Sequence, residues 1–269
     1  MQISYPIRVL SLGAGVQSTT LLRMIIHGEL EPVQHAIFSD TGWEPQAVYE
    51  HLTVLQTECK QAGIPLHVVS NGNIRDDALD PNSTRSTMPL WLTKSNGDGA
   101  MARRKCTQEY KLKPLVSKQR EIAGLKPGQR CNEHRITTVI GISWDESQRI
   151  KDPLFPWIRN EYPLVERRIK RADCIRWNTE HGYPAPPRSS CIGCPFHDNA
   201  EWRRIRDDPA AWADAVAFDE AIRAPQHGRT SQAFLHRSRQ PLSVVDIRSE
   251  EEAGQGTLFE MECEGMCGL

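Results

Sequence analysis

One glycine-rich segment and eight cysteines hold the residue types in this chain that could carry chemistry. Residues 11–18 read SLGAGVQS, and a loop of this composition can present backbone amides to a phosphate group. Six of the cysteines stand in distinctive surroundings, and two of these form the motif Cys191-Ile-Gly-Cys194. Cys59 and Cys131 stand alone and are interpreted as ordinary thiols. The glycine-rich segment predicts anion binding, and the clustered thiols predict metal binding or redox chemistry.

Three kinds of phosphate loop compete for residues 11–18. A Walker loop is excluded, because it ends in Gly-Lys before a Ser or Thr and this segment has no lysine. A dinucleotide fingerprint, G-x-G-x-x-G, fits except at Ser18, and Asp40 follows at the distance of a ribose-binding acid. A pyrophosphatase-type loop, S-G-G-x-D-S, fits with Gly13 in place of serine and Gln17 in place of aspartate. The loop alone leaves the last two open, beside a tight turn that binds nothing.

Short apolar segments alternate with helical patterns around these residues. Residues 7–13, 35–40 and 65–70 predict buried strands, and residues 18–27 and 44–62 predict the helices between them. This alternation predicts a parallel sheet with right-handed crossovers, whose ligands bind beyond the carboxyl ends of the strands. The glycine loop and the segment SDTGWEP, which begins at Ser39, both lie at such ends.

The later part of the chain is less regular. Residues 71–104 are polar and predict a long loop, and residues 107–122 predict a basic helix interrupted near Lys113-Pro114. Residues 135–143 predict another strand, followed by an irregular segment, a helix near residues 171–181, two short helices and a polar tail. The expected fold class is α/β. A doubly wound parallel sheet is expected in residues 1–165, and a helical, cysteine-bearing region in residues 166–269.

The composition is that of a soluble globular protein. The chain has 269 residues, 39% hydrophobic and 25% charged, and its net charge of −1 favours neither nucleic acid nor membrane as a partner. No apolar stretch reaches the roughly 18 to 20 residues of a membrane-spanning helix. The N-terminal sequence lacks the layout of a signal peptide, so a cytoplasmic location is expected. Stable disulfides are rare there, and clustered cysteines more often bind metal.

Four motifs, taken in order, resemble those of the phosphoadenosine phosphosulfate (PAPS) reductases and their relatives in the PP-loop superfamily. After the glycine loop, residues 40–49 are similar to the segment D-T-G-x-x-x-P…T-Y. Residues 106–115 (CTQEYKLKPL) are similar to C-C-x-x-x-K-x-x-P-L, and residues 141–149 (GISWDESQR) to G-x-R-x-x-E-S-x-x-R. Two weaker matches to the family follow, in residues 162–164 and in the segment CIGCPF. The resemblance favours the pyrophosphatase-type loop and implies an adenine nucleotide alpha hydrolase-like fold.

The resemblance also implies one site for an adenine nucleotide. The nucleotide is either ATP, which can bind with or without Mg²⁺, or a sulfonucleotide (PAPS or APS). It assigns nucleotide binding to Ser11, Gly13, Ala14, Gly15, Val16, Gln17, Ser18, Asp40, Thr41, Gly42, Gly141 and Glu146. Lys111 and Arg149 are expected to act on a phosphate or sulfate as fixed positive donors. A solvated helix face and a surface arginine are their plain alternatives.

Iron–sulfur members of this family hold a 4Fe–4S cluster with two cysteines on the Lys-Pro-Leu helix and a later C-x-x-C pair. Here Thr107 stands beside the single helix cysteine. The resemblance therefore implies a cluster on Cys106, Cys191 and Cys194, with Cys174 as the fourth ligand and Cys263 or Cys267 as alternatives. Structural zinc on the same thiolates and a metal-free dithiol pair stay open.

The C-terminal tail, ECEGMCGL, resembles the E-C-G-x-H ending whose cysteine attacks the sulfonucleotide in reductases. It has two cysteines and no histidine. Cys263 and Cys267 are therefore expected to act as a nucleophile or sulfur carrier. The plain alternative is an unstructured end with incidental cysteines.

Three functions follow from the resemblance. The first is nucleotide-dependent sulfur insertion, in which ATP adenylates a substrate such as tRNA or DNA and a cysteine desulfurase supplies sulfur. The second is reduction of a sulfonucleotide to sulfite with a thioredoxin-like donor. The third is a regulatory nucleotide-binding module with a structural metal, which Gln17 favours because the usual loop aspartate is lost. Basic stretches at residues 159–176 and 202–206 suit a nucleic-acid backbone or a solvated helix face.

Overall fold

The structure, a computed structural model, describes residues 6–83, 88–94, 96–224 and 230–248. Its strands are β1 (Ile7–Leu12), β2 (His35–Asp40), β3 (Leu66–Ser70), β4 (Trp91–Thr93), β5 (Gly99–Met101), β6 (Ile136–Ile140), β7 (Ile158–Glu161) and β8 (Gln232–Phe234). Its helices are α1 (Val16–Ile26), α2 (Gln46–Gln61), α3 (Ile74–Leu79), α4 (Lys113–Ile122), α5 (Pro163–Glu166), α6 (Arg171–Glu180), α7 (Asn199–Arg206) and α8 (Pro209–Ala221).

Five strands form the main sheet, in the order β3-β2-β1-β6-β7 and with every neighbouring pair parallel. The central strand β1 places Leu10 beside Ala36 on one side and Val139 on the other. The order reverses at β1, since the chain first builds outward to β3 and then returns to the other side. A crevice at the carboxyl ends of the strands is the usual ligand site at such a reversal. The predicted doubly wound parallel sheet is confirmed.

Helices cover both faces of this sheet. One apolar core joins α1, α2 and α6 to the sheet, and it includes Leu21, Leu22, Leu55 and Cys174. A second core packs α4 against the opposite face, around Leu115 and the buried Trp157 of the segment before β7. Burial on both faces explains why β6, with the sequence ITTVI, is buried along its whole length.

A third core supports the later part of the chain. It joins α7 and α8 to residues far away in sequence, including Trp43, Tyr110 and Cys191. Beside it lies a small antiparallel sheet in the order β5-β4-β8. The prediction of a long loop at residues 71–104 is therefore wrong, because α3, β4 and β5 lie within it.

The helix predicted at residues 107–122 is present, and the interruption near Lys113-Pro114 has a definite form. Thr107–Leu112 is a π-helical turn, and α4 begins directly after it. Pro114 lies in the first turn of α4 and has no N–H to donate to the preceding π-helical turn, so the helical hydrogen bonding is interrupted there. The segment expected to be irregular after β6 contains β7 and α5. Within the described residues, no helix is both long and apolar enough to cross a membrane.

Candidate functional site

The glycine loop turns sharply between β1 and α1. Ala14 has a φ of 55° and is fully buried, so the turn is tight. The Ser18 hydroxyl accepts a hydrogen bond from the Gly13 N–H at 3.1 Å and donates one to the Gly15 carbonyl at 3.3 Å. Gly15, the N-cap of α1, has no side chain with which to cap the first amides of the helix. These amides therefore point into the cleft as an anion site.

The end of β6 lies directly against this loop. A Cβ atom added at Gly141 would lie 2.9 Å from both the Cα and the N atom of Ser18, so only glycine fits without moving backbone. This close approach places the 141–149 segment on the rim of the same cleft. Glu146 of that segment is buried and forms an ion pair with Arg149.

The cleft around the loop encloses about 1020 Å³, open space at its mouth included. Four cations and one carboxylate line it. The cations are Lys111, Arg149, Arg171 and Arg188, and the carboxylate is Glu146. This balance suits a ligand with more than one negative charge.

Arg171 and Arg188 reach the cleft from outside the four motifs. Arg171 is the first residue of α6, and its guanidinium donates to the Gln17 Oε1 at 3.2 Å. The side chain of Asp145 accepts a hydrogen bond from the Arg171 backbone N–H at 3.1 Å and so anchors the start of this helix. Gln17 replaces the usual acidic residue, so the loop meets a fixed positive charge there instead of offering a carboxylate.

Asp40 has a structural task in this chain. Its Oδ1 accepts hydrogen bonds from the Gly42 N–H at 2.8 Å and from the Tyr49 hydroxyl at 3.0 Å. Gly42 has a φ of 75°, and its Cα position lies against Asn73, where a side chain would clash. This turn holds Asp40, Thr41 and Gly42 outside the lining of the cleft, and their predicted contacts with a nucleotide stay a prediction.

The remaining predicted nucleotide residues do line the cleft, with one exception. They are Ser11, Gly13, Gly15, Val16, Gln17, Ser18, Gly141 and Glu146. Ala14 is the exception, because its side chain is buried in the core below the loop. Lys111 and Arg149, predicted as the acting cations, are both in the lining.

A second, smaller cavity lies beside the cleft and contains three of the predicted metal ligands. Cys106, Cys191 and Cys194 line it together with Thr41 and Lys111. The rest of the lining is Ile74, Met88, Pro89, Thr107 and Pro195. Among the residues the structure describes, no three Cys, His, Asp or Glu side chains are close enough together to hold a single metal ion.

Cys174 does not join these three. It lies on α6 in the core between α6 and α1, with its side chain hydrogen-bonded to Thr20. Burial raises the pKa of this thiol to about 12. The structure places Cys174 apart from the other three predicted ligands, because the inward face of α6 packs on α1 and the thiol is absent from the cavity lining. Its role as the fourth ligand stays a prediction.

The C-x-x-C loop is anchored by the segment that follows β2. The backbone N–H of Ile192 donates to the Trp43 carbonyl at 2.9 Å. A Cβ at Gly193 would lie only 2.1 Å from the Trp43 ring, so the loop and the indole are in close contact. The indole N–H is in turn fixed by Asp214 at 2.6 Å, and its ring packs on Phe218.

A short chain of contacts joins the cleft to the cysteine cavity. Lys111 lines both, and its Nζ lies 3.9 Å from the Oε1 of Glu44. The same oxygen accepts a hydrogen bond from the Thr41 hydroxyl at 2.9 Å. Thr41 Oγ1 lies 3.2 Å from the Sγ of Cys191, and Glu44 is 3.8 Å from that sulfur. A negatively charged ligand bound at Lys111 is therefore linked through Glu44 and Thr41 to the sulfur of Cys191.

Two groups of sequence predictions have other outcomes. Cys263 and Cys267 lie outside the described residues, so their predicted role stays a prediction. Within the basic stretches, Arg176 pairs with Asp173 and Arg204 with Glu201. Acidic neighbours thus offset part of the positive charge that was read as a nucleic-acid contact.

Sequence reasoning missed Glu44, Arg171, Arg188 and Ser189 as site residues. Glu44 was visible within the SDTGWEP motif, and its position at a strand end, just before a helix, was the available signal. Arg188 and Ser189 lie three and two residues before Cys191 of CIGC, so their nearness to a motif could have indicated them. Nothing in the local pattern distinguishes Arg171 from its basic neighbours.

Comparison with known proteins gives matches in structure only. No protein-family model matches the chain, and no curated protein matches it in sequence. A PAPS reductase from Candida auris, solved as a phosphate complex, is 17% identical, with 68% of this chain and 76% of that chain covered and a TM-score of 0.44. The U34-tRNA thiolase NcsA from Methanococcus maripaludis, with its 4Fe–4S cluster, is 11% identical over 93% of this chain and 82% of that chain, with a TM-score of 0.37.

Proposed function

We propose that this chain is a PAPS-reductase-like PP-loop enzyme of sulfur transfer that binds ATP or a related adenine nucleotide. In this proposal it activates an oxygen of a nucleic-acid substrate by adenylation and replaces that oxygen with sulfur. The observation that carries the proposal is the position of Lys111. Its side chain lines both the cleft around the glycine loop, called the anion cleft below, and the smaller cavity lined by three cysteines, called the cysteine cavity. An activated substrate and a sulfur atom can therefore meet within one site.

The adenylation step of the proposed reaction depends on the glycine loop. The free amides of α1 hold the α-phosphate, and Lys111 and Arg149 stabilise the charge that develops when pyrophosphate leaves. Arg171 and Arg188 extend the positive lining, which suits the other two phosphates. The attacking substrate oxygen bonds to the α-phosphorus, and the bond to the β-phosphate oxygen breaks.

The sulfur end rests on the cysteine cavity. Cys106, Cys191 and Cys194 fit a 4Fe–4S cluster as three of its ligands, since all three thiols line one cavity and cluster ligands are cysteine thiolates. Cys263 or Cys267 completes the set in this proposal. A cluster held there would supply an iron site to which sulfide could bind. A cysteine desulfurase supplies sulfur at the persulfide level, and a dithiol reductant provides the two electrons that reduce it to sulfide. The sulfide then bonds to the activated atom of the substrate, and the bond from that atom to AMP breaks.

The test is the fate of ATP labelled in the α-phosphate. Anaerobically purified protein is incubated with the label, with and without tRNA or single-stranded DNA, and AMP and pyrophosphate are measured. We expect AMP release that depends on the nucleic acid. Lys111→Met should lower it by about 100-fold, the scale of losing one electrostatic contact to a transition state. Lys113→Met is the matched control, because Lys113 is on the same helical segment but its side chain is 54% exposed.

A second candidate is the reduction of a sulfonucleotide to sulfite. Four cations in one cleft would also suit the additional phosphate and the sulfate of PAPS, and Gln17 offers no carboxylate to a metal ion. Sulfite release from PAPS or APS with thioredoxin as reductant would replace the first proposal by this one. Binding of ATP without either reaction would instead favour a regulatory module with a structural metal.

A further inference from the structure

A third cavity extends away from the anion cleft along the face of the main sheet. It lies between α4 and strands β6 and β7, and its volume of about 1120 Å³, open mouth included, matches that of the cleft itself. Leu112 and Leu115 line both spaces, so the two adjoin. The four motifs of the sequence assign no role to this cavity.

The interior of the third cavity is an apolar slot with amide and hydroxyl groups on its floor. The walls are Leu112, Leu115, Val116, Leu154 and Ile158. On the floor, the buried Gln119 amide donates to the Thr138 hydroxyl at 2.7 Å, which leaves that hydroxyl its own proton to donate. The Asn160 amide also contributes. Apolar walls around donors and acceptors fit a flat heterocycle, whose faces are apolar and whose edge is polar.

The mouth of the third cavity combines cations with the exposed side chain of Leu154, and further exposed apolar side chains lie on the same segment of the chain. Arg104 and Lys151 line it, opposed by Asp152. Of the nine large apolar side chains that are exposed in the described part of the chain, four lie within residues 144–155. They are Trp144, Ile150, Leu154 and Phe155. Aromatic and apolar surface beside cations is the composition that holds single-stranded nucleic acid, through base stacking and phosphate contacts.

We propose that the third cavity is the acceptor site, which receives one unstacked base of a single-stranded nucleic acid while residues 144–155 hold the neighbouring nucleotides. This inference rests on the proposed function and names the place of its substrate. The cation-rich cleft takes the phosphates of the activating nucleotide, and the shared wall at Leu112 and Leu115 brings the base beside it. The π-helical turn Thr107–Leu112 lies between them, and such turns are frequent at functional sites.

The test measures binding of two ligands to the same full-length variants. Fluorescence anisotropy with short mixed-sequence single-stranded RNA and DNA reports the acceptor, and a fluorescent ATP analogue reports the cleft. Leu154→Asp removes an apolar contact and adds a negative charge near the phosphates, so it should weaken oligonucleotide binding by about tenfold and leave the affinity for the ATP analogue unchanged. Val244→Asp is the matched control, since Val244 is 71% exposed and lines none of the three cavities.

Photocross-linking from an oligonucleotide that carries 4-thiouridine gives a second readout, with cross-links expected within residues 144–160. The inference is overturned if the wild-type protein binds no oligonucleotide, or if Leu154→Asp leaves that binding intact. It is also overturned if the variant weakens the ATP analogue equally, because the cavity then belongs to the adenine. If Leu154→Asp leaves oligonucleotide binding intact, AMP release that depends on nucleic acid would still leave the proposed function standing. A wild-type protein that binds neither the oligonucleotide nor the ATP analogue would remove both.

Discussion

The anion cleft and the cysteine cavity lie side by side but are built in different ways. The cleft is formed mainly at the carboxyl ends of β1 and β6, where a buried parallel sheet fixes each backbone. The cysteine cavity is formed by five chain segments, around residues 41, 74, 88, 106 and 191, which a separate core holds together. Its lining is mostly apolar, whereas the cleft is rich in cations.

The anion cleft and the cysteine cavity are thus supported by separate cores and are connected by one short segment. Residues 41–44 leave the main sheet at β2 and enter the third core through Trp43. Thr41 contacts Cys191, and Glu44 approaches Lys111. Damage to either core should therefore impair one site first. The predictions below test how far the two sites can be separated.

The largest effect is expected from Cys191→Ser. Loss of a thiolate from the cavity should reduce iron and acid-labile sulfide to background in anaerobically purified protein. The affinity for ATP should stay within about twofold, because Cys191 is outside the cleft. Metal analysis and calorimetry check both halves. Stoichiometric zinc without iron in the wild type would show that the cavity holds a different metal.

Two glycine substitutions should each impair one of the two sites and leave the other intact. Gly193→Ala forces a Cβ into the Trp43 ring, which Asp214 and Phe218 hold in place, so iron content should fall while ATP binding persists. Gly141→Ala presses on the backbone of Ser18 and should weaken ATP binding by about tenfold or more, with iron retained. Each variant is the other's control. Loss of both properties in both variants would mean that the sites fold as one unit.

A smaller effect is expected from Arg171→Gln. It removes one positive charge and the contact to Gln17, so ATP affinity should fall by about tenfold, the scale of one hydrogen bond to a charged group. Arg176→Gln is the matched control on the same helix, because its side chain is 64% exposed and pairs with Asp173. Equal affinities of the two variants would exclude Arg171 from the binding of phosphate.

The smallest effect is a pH dependence of stability on the cleft side. His51 packs beneath the glycine loop with Thr19, and burial together with the charge of Arg23 lowers its pKa to about 4. The unfolded chain takes up this proton first, near pH 6.5, so stability is lost as the pH falls from about 6.5 to about 4. The free energy of unfolding can be measured with urea at pH 7 and at pH 5. Its decrease between the two pH values should be about 1–2 kcal/mol smaller in His51→Gln than in the wild type. An unchanged loss would assign the pH dependence to other groups.

The cleft could be predicted from the sequence far better than the cysteine cavity could. His35–Asp40 was predicted with its bounds, because a short apolar run before a polar turn marks a buried strand. The strands β4, β5 and β8 have only three residues each, too few to show an alternating pattern. Long-range pairing makes them, and that pairing has no local signature.

The placement of individual side chains is also decided by contacts that the sequence motifs do not show. Cys174 is close in sequence to the C-x-x-C motif, but only the packing of α6 on α1 decides which way it faces. Asp40 has the place of a ribose-binding acid, yet its carboxylate stabilises the turn at Gly42. Side-chain direction and competing hydrogen bonds depend on tertiary contacts that a motif does not contain.

The central claim is that the cleft and the cysteine cavity act together to insert sulfur into a nucleic acid. Its most direct test is mass spectrometry of nucleosides from cells with the gene, without it, and with the Cys191→Ser variant. The account predicts a sulfur-bearing nucleoside or backbone linkage that appears only with the wild-type gene. Identical nucleoside profiles in all three strains would contradict it.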